Sequence, residues 1–168
     1  QLDVLADILG GDSASRLYRT YYYDKQLVDS IGVYNYGMER AGMFYIYATL
    51  DADKLLPFWE TLVRDLADLS RTTFSDEELN RAKLNLETAH FRSQETVAGL
   101  ADSLSRFQFF DNGVQGEANY LRLIRDTDQA TLQGLVKESF RPENLCLSIL
   151  LPNEAQLPPE AADFPAWA

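Results

Sequence analysis

From Met43 to Leu50 the side chains alternate with a period of two, with Phe44, Ile46, Ala48 and Leu50 on one face and Tyr45 and Tyr47 on the other. Only a strand repeats this way, because successive residues point to opposite sides of the backbone. Upstream, Ile31 and Val33 alternate with Tyr34 and Tyr36, and Glu39-Arg40-Ala41-Gly42 lies between the two runs as a turn. The pattern predicts a β-hairpin with one aliphatic face and one tyrosine face. Rings that pair apolar area with a hydrogen-bonding tip suit a contact surface.

Around this hairpin the period is helical. Leu2, Leu5, Ile8 and Leu9 share one stripe, and Gly10-Gly11 is placed to end it. Asp12 or Ser13 is expected to cap a second helix reaching about Lys25, and Asp51 or Asp53 one through Leu55, Trp59, Leu62 and Leu66, with Pro57 in its first turns. Ser75-Asp76-Glu77-Glu78 reads as a capping box that opens a long helix bending near Gly99. A short helix is expected around Glu117–Asp126, then one capped by Thr127 that buries Leu132 and Val136. The apolar run Leu145–Leu151 is expected to form a strand covered on both faces, with Cys146 buried in it. Strands and helices are thus segregated rather than alternating. The fold class is α+β: an antiparallel sheet, the hairpin plus a C-terminal strand, with helices on one face. Residues 1–152 form one domain and residues 153–168 a Pro- and Ala-rich tail.

Charge excludes one class of partner. The 26 acidic and 15 basic residues give a formal net charge of -11, which repels phosphate backbones and argues against nucleic acid. No apolar run approaches the roughly 20 residues that span a bilayer. One cysteine leaves no internal disulfide, and one histidine, His90, leaves no histidine cluster for zinc. Glu87 shares a helix face with His90, a pair that reads as an ordinary contact.

Leu9-Gly10-Gly11, Ser15-Arg16-Leu17-Tyr18, Ala41-Gly42-Met43-Phe44, Glu77-Glu78-Leu79 with Ala82-Lys83, and Arg141-Pro142-Glu143-Asn144-Leu145 follow one another in this order. In that order the chain resembles the C-terminal, non-zinc half-domain of the insulinase/pitrilysin family of zinc metallopeptidases. The resemblance implies a half-domain that closes a peptide-binding chamber over a separate half bearing His-x-x-Glu-His. Zinc is then expected in that partner half, with no catalytic or metal-binding residue and no cofactor here. It also implies a first strand ahead of the first helix, missing from this chain, and favours the periplasm or cell envelope of a bacterium. A sheet edge left open by a missing strand predicts a homodimer.

Active relatives place an Arg and a Tyr, seven residues apart, to bind substrate and steady an oxyanion. Those places fall here on Tyr22 and Asp29. A carboxylate repels an oxyanion, so the role is either lost or passed to Tyr21, Tyr23 or Lys25. Tyr22, Asp29, Tyr34 and Tyr36 are the candidate substrate-binding residues. A structural or assembly subunit without proteolytic function is the other reading.

Overall fold

Helix α1 (Leu2–Gly10) is apolar on nearly every side, because it is packed on nearly every side. Val4, Leu5, Ile8 and Leu9 are fully buried between strand β1 (Ser30–Gly37) and helix α3 (Asp76–Ser93). Burying such side chains contributes about 1.5–3 kcal/mol each. The computed structural model describes residues 1–38, 40–110 and 113–152. Gly10 sets how closely α1 meets β1, since a Cβ there would lie 2.5 Å from Val33 Cγ2 and 2.6 Å from the Val33 backbone nitrogen.

Strand β2 (Gly42–Thr49) pairs antiparallel with β1, in a register that sets Val33 opposite Ile46, Tyr34 opposite Tyr45 and Tyr36 opposite Met43. The aliphatic face is turned inward, with Ile31 and Val33 buried, while Tyr34, Tyr36, Tyr45 and Tyr47 are exposed. The remaining helices are α2 (Leu55–Asp68), α4 (Val97–Phe110), α5 (Val114–Asp126) and α6 (Gln129–Ser139). Pro57 falls in the first turn of α2, where its missing amide costs nothing. Ser75 caps α3 as the sequence requires, accepting from the Glu78 amide while the Glu78 carboxylate accepts from the Ser75 amide. The long helix breaks after Ser93, close to Gly99. The α+β class holds, and no helix among the described residues is long and apolar enough to cross a membrane.

Four local expectations are corrected. The segment after Gly11 is a turn followed by a π-helix (Tyr18–Asp24), not an α-helix from Asp12. Asp12 bends the chain instead, accepting from the Ala14 amide through its side chain and from Ser15 through its carbonyl. Before α2 a short 3-10 turn (Ala52–Lys54) intervenes, and Asp51 makes no side-chain cap there. Asp128, not Thr127, caps α6, accepting from the Thr131 amide at 2.8 Å, while buried Thr127 donates to the Leu123 carbonyl. Residues 145–152 pair with no strand: among the described residues the sheet has two strands, and Leu145, Leu147, Leu150 and Cys146 are exposed. An apolar run becomes a strand only beside an edge that satisfies its backbone groups. The turn residue Glu39 and the tail 153–168 lie outside the described residues.

A half-buried carboxyl on α1 makes stability depend on pH. Asp7, on α1, accepts from Asn85 at 3.2 Å and lies near Asp12 and Arg81. Burial pushes its carboxyl up to about 6, the Asn85 hydrogen bond opposing the shift. A folded value above the unfolded one favours the protonated form, so this contribution is full below about pH 4 and is lost as pH rises through 6. Asp7→Asn keeps the Asn85 partner and removes the charge. Discounted for partial solvent access, it is expected to gain about 1 kcal/mol at pH 8 and nothing at pH 4. Urea unfolding at the two pH values checks it; an equal effect at both removes the ionisation as cause.

Candidate functional site

The tyrosine surface is built from two elements that the sequence separates. In the π-helix the Lys25 amide reaches back to the Thr20 carbonyl, 2.9 Å, so each turn holds one residue more than an α-turn. That register sends Tyr21 inward and leaves its neighbours outside. Tyr21 is fully buried, edge-on to Phe58, and donates to Asp65 Oδ2 at 2.6 Å. Burial, then this bond to a carboxylate, pushes its phenol far above the ordinary range. Lys25 reaches the same Asp65 oxygen, 3.4 Å, and lies over the Tyr21 ring. Gln26 then takes a left-handed φ of 51°, and the Leu27 amide closes onto the Tyr21 carbonyl. A non-glycine residue in that region marks a segment held by its surroundings.

Outside, Tyr18 packs on Tyr22 and Tyr23, with ring centroids 4.8 and 5.6 Å apart. On the hairpin Tyr34 lies against Tyr45 and stacks on Tyr47, 5.4 and 5.8 Å apart. Gly32 makes room for this, because a Cβ there would stand 2.5 Å from the Tyr47 ring. Tyr34, Tyr45 and Tyr18 lie close enough to Tyr47 to disfavour its ionisation. The Tyr47 phenol is raised chiefly by Tyr34, and the Tyr18 phenol chiefly by burial, so both stay protonated and able to donate. The π-helix packs against β1, so the two clusters stand on neighbouring elements.

Of the sequence candidates, Tyr22 lies in the π-helix part, Tyr34 is central to the hairpin part, and Tyr36 stands farther along the same strand face. Asp29 is exposed where the chain enters β1, its amide bonded to the Thr49 carbonyl at 2.7 Å. Tyr21 and Lys25, named as possible replacements for the lost donors, are engaged with Asp65. Sequence reasoning set Tyr45 and Tyr47 on the tyrosine face of the hairpin and named Tyr23 as a possible donor, but left Tyr18 out. The signal for Tyr18 was its place inside the Ser15-Arg16-Leu17-Tyr18 motif, while Gly32, a strand glycine directly opposite Tyr47, marked where that ring lies.

Arg16 fixes where this surface sits. Its Nε and Nη2 donate to the two carboxylate oxygens of Glu78, its Nη2 also to the Thr73 carbonyl at 2.7 Å, and its guanidinium lies over the Phe74 ring. The arginine beside it holds the Glu78 carboxyl down to about 2. The same Glu78 closes the capping box of α3, so the start of the π-helix and the start of α3 are one joint.

His90 belongs elsewhere. Its Nε2 is 2.8 Å from Glu117 Oε1, with Gln94 joining the pair, in a cleft of about 290 Å³ lined by Ser103, Arg106, Phe107 and Tyr120. Glu87 accepts instead from Arg125. Among the described residues no cluster of three or more His, Cys, Asp or Glu is placed to hold a metal.

The sequence pattern of the Peptidase M16 inactive domain matches residues 1–86. The chain is 34% identical over 96 residues to an uncharacterized zinc protease, YmxG, of Bacillus subtilis, an overlap covering 57% of this chain and 24% of that protein. It spans about a quarter of the length of the curated relatives it matches. Its fold is similar to the inactive peptidase domain of a zinc protease candidate from Bordetella parapertussis, with a TM-score of 0.72 at 22% identity, over 92% of this chain and 85% of that one. A chain of complex III from Candida albicans shares the fold, with a TM-score of 0.68 at 17% identity, over 81% of this chain and 34% of that one.

Proposed function

The chain belongs to the Peptidase M16 inactive-domain family of zinc proteases, and on that premise we propose that it is a non-catalytic half-domain closing a peptide-binding chamber over a separate metal-bearing half. The observation that carries this reading is the exposed tyrosine surface on two neighbouring elements, Tyr22, at the family's substrate-binding place, on the π-helix and Tyr34 and Tyr36 on the hairpin. Aromatic faces with donor tips hold a peptide by stacking and by hydrogen bonds to its carbonyls. Zinc, the attacking water and the general base are supplied by the partner half, and this half supplies wall and contacts. Asp29 supports the second reading, a structural subunit without proteolysis, because a carboxylate there opposes the developing negative charge.

Hydrogen exchange with the metal-bearing half of the same protein tests the reading. Mixing the two is expected to slow exchange in the described part of the hairpin and in residues 18–27. Protection confined to α4–α6, with the hairpin unchanged, would contradict it. The same measurement on this chain alone at rising concentration tests the proposed homodimer, which should protect a hairpin edge.

A further inference from the structure

The cleft of about 290 Å³ beside His90 is lined from α3, α4 and α5, apart from the tyrosine surface. Its apolar lining is Leu86, Ala89 and buried Phe107. The polar groups around that lining divide into those that are paired and those that are not. Both hydrogens of the Gln94 amide are taken, one by Ser103 Oγ at 3.1 Å and one by Glu117 Oε1 at 2.6 Å. His90 Nε2 must then carry the hydrogen that it shares with Glu117 at 2.8 Å. Nδ1 of the neutral ring is left as an acceptor, with no partner among the described residues. Ser103 accepts from Gln94, but its own hydroxyl hydrogen meets no acceptor among them, although the residue is only 9% exposed. A buried donor left unmet is costly, so this hydroxyl calls for a partner. Asp102 and Arg106 are exposed at the rim, one turn apart on α4, and neither forms an ion pair among the described residues.

Two donors, Ser103 and Arg106, thus stand unpaired with two acceptors, Asp102 and His90 Nδ1, around one apolar lining. A ligand of a single charge satisfies one set and opposes the other. We propose that this cleft binds a small zwitterion, an α-amino acid with an aliphatic side chain. Its carboxylate takes Arg106 and Ser103, its ammonium takes Asp102 and His90, and its side chain lies on Phe107. Residues four apart on a helix have Cβ atoms about 5–6 Å apart, a spacing that two charged groups on one carbon can bridge. Ligand sites start at roughly 300 Å³, so this cleft suits one or two residues rather than a longer peptide. The inference goes beyond the peptide-wall reading and does not depend on it.

Proton NMR of the whole chain tests it, because His90 is the one histidine and its ring resonances report on this cleft alone. Titration with L-leucine at constant neutral pH is expected to shift them saturably. N-acetyl-leucine lacks the ammonium, leucinamide the carboxylate and glycine the side chain, and each should bind about tenfold more weakly. Arg106→Gln should remove the advantage of leucine over leucinamide, and Asp102→Asn its advantage over N-acetyl-leucine. Both side chains are exposed, so neither change disturbs packing, and circular dichroism checks that each variant is folded. N-acetyl-leucine binding as tightly as leucine would make this an anion site and overturn the proposal. Leucine binding unchanged in both variants would overturn it by placing the ligand elsewhere. No saturable shift with any of the four ligands would overturn it outright, and the tyrosine wall would stand untouched by that result.

Discussion

Gly10→Ala is expected to destabilise the chain by about 3 kcal/mol, although helix propensity alone favours alanine by about 1 kcal/mol. The sign is decided by packing. A Cβ at Gly10 meets the Val33 backbone nitrogen at 2.6 Å, and backbone in a paired strand has no rotamer by which to withdraw. Either α1 lifts away from β1, opening space around Leu9 and Val33, or the hairpin shifts. Gly134→Ala is the matching control: it lies within α6 with nothing within 4 Å of its would-be Cβ, so propensity alone acts there. It is expected to stabilise by about 0.5–1 kcal/mol. Urea unfolding of both variants checks the pair, and a neutral Gly10→Ala would mean that α1 and β1 yield to the added methyl without loss of packing.

Arg16→Ala is the second large effect, expected at about 2–4 kcal/mol. It removes a bidentate ion pair to a carboxylate only one-fifth exposed, a bond to the Thr73 carbonyl and the cover on Phe74. The pH dependence identifies the cause. The Glu78 carboxyl is held to about 2 in the folded chain, below its unfolded value, so its contribution is present above about pH 4 and lost as pH falls through 2. The gap between Arg16→Ala and the parent chain should therefore be full at pH 6 and narrow toward pH 2. Arg16→Lys should recover less than half, because an ammonium does not make the two parallel bonds. A gap constant with pH would assign the loss to packing on Phe74 alone. Because Arg16 leads directly into the π-helix, the variant should also loosen the tyrosine surface.

Much of this architecture is legible in local pattern. The hairpin follows from period-two alternation, the capping box from Ser75 and Glu78, and the α+β class from the segregation of strands and helices. What escaped depends on partners distant in sequence. The π-helix arises because Tyr21 finds Asp65 and Phe58, both more than thirty residues away, and nothing between Asp12 and Lys25 announces that pull. The run from Leu145 has strand composition, yet a strand also needs an open edge beside it, and composition does not reveal one. Gly10-Gly11 reads as a helix stop and α1 does end there, but the pattern does not show that Gly10 also lies close against Val33 and Gly11 against Asp7. At the site, Tyr34 and Tyr36 were legible from strand parity. So were Tyr45 and Tyr47; Tyr18 was not, because it nears them only when the π-helix is laid beside the hairpin.

The role of a non-catalytic wall is tested most directly by the turnover of a quenched peptide on the metal-bearing half of the same protein, measured alone and with this chain added. Productive closure excludes water and aligns the peptide, so the rate is expected to rise by at least tenfold, on the order that positioning effects supply. The rise should be lost when Tyr34 and Tyr47 are both leucine. A metal-bearing half that binds this chain tightly and turns over no faster would contradict the account, and would leave the domain as a structural subunit.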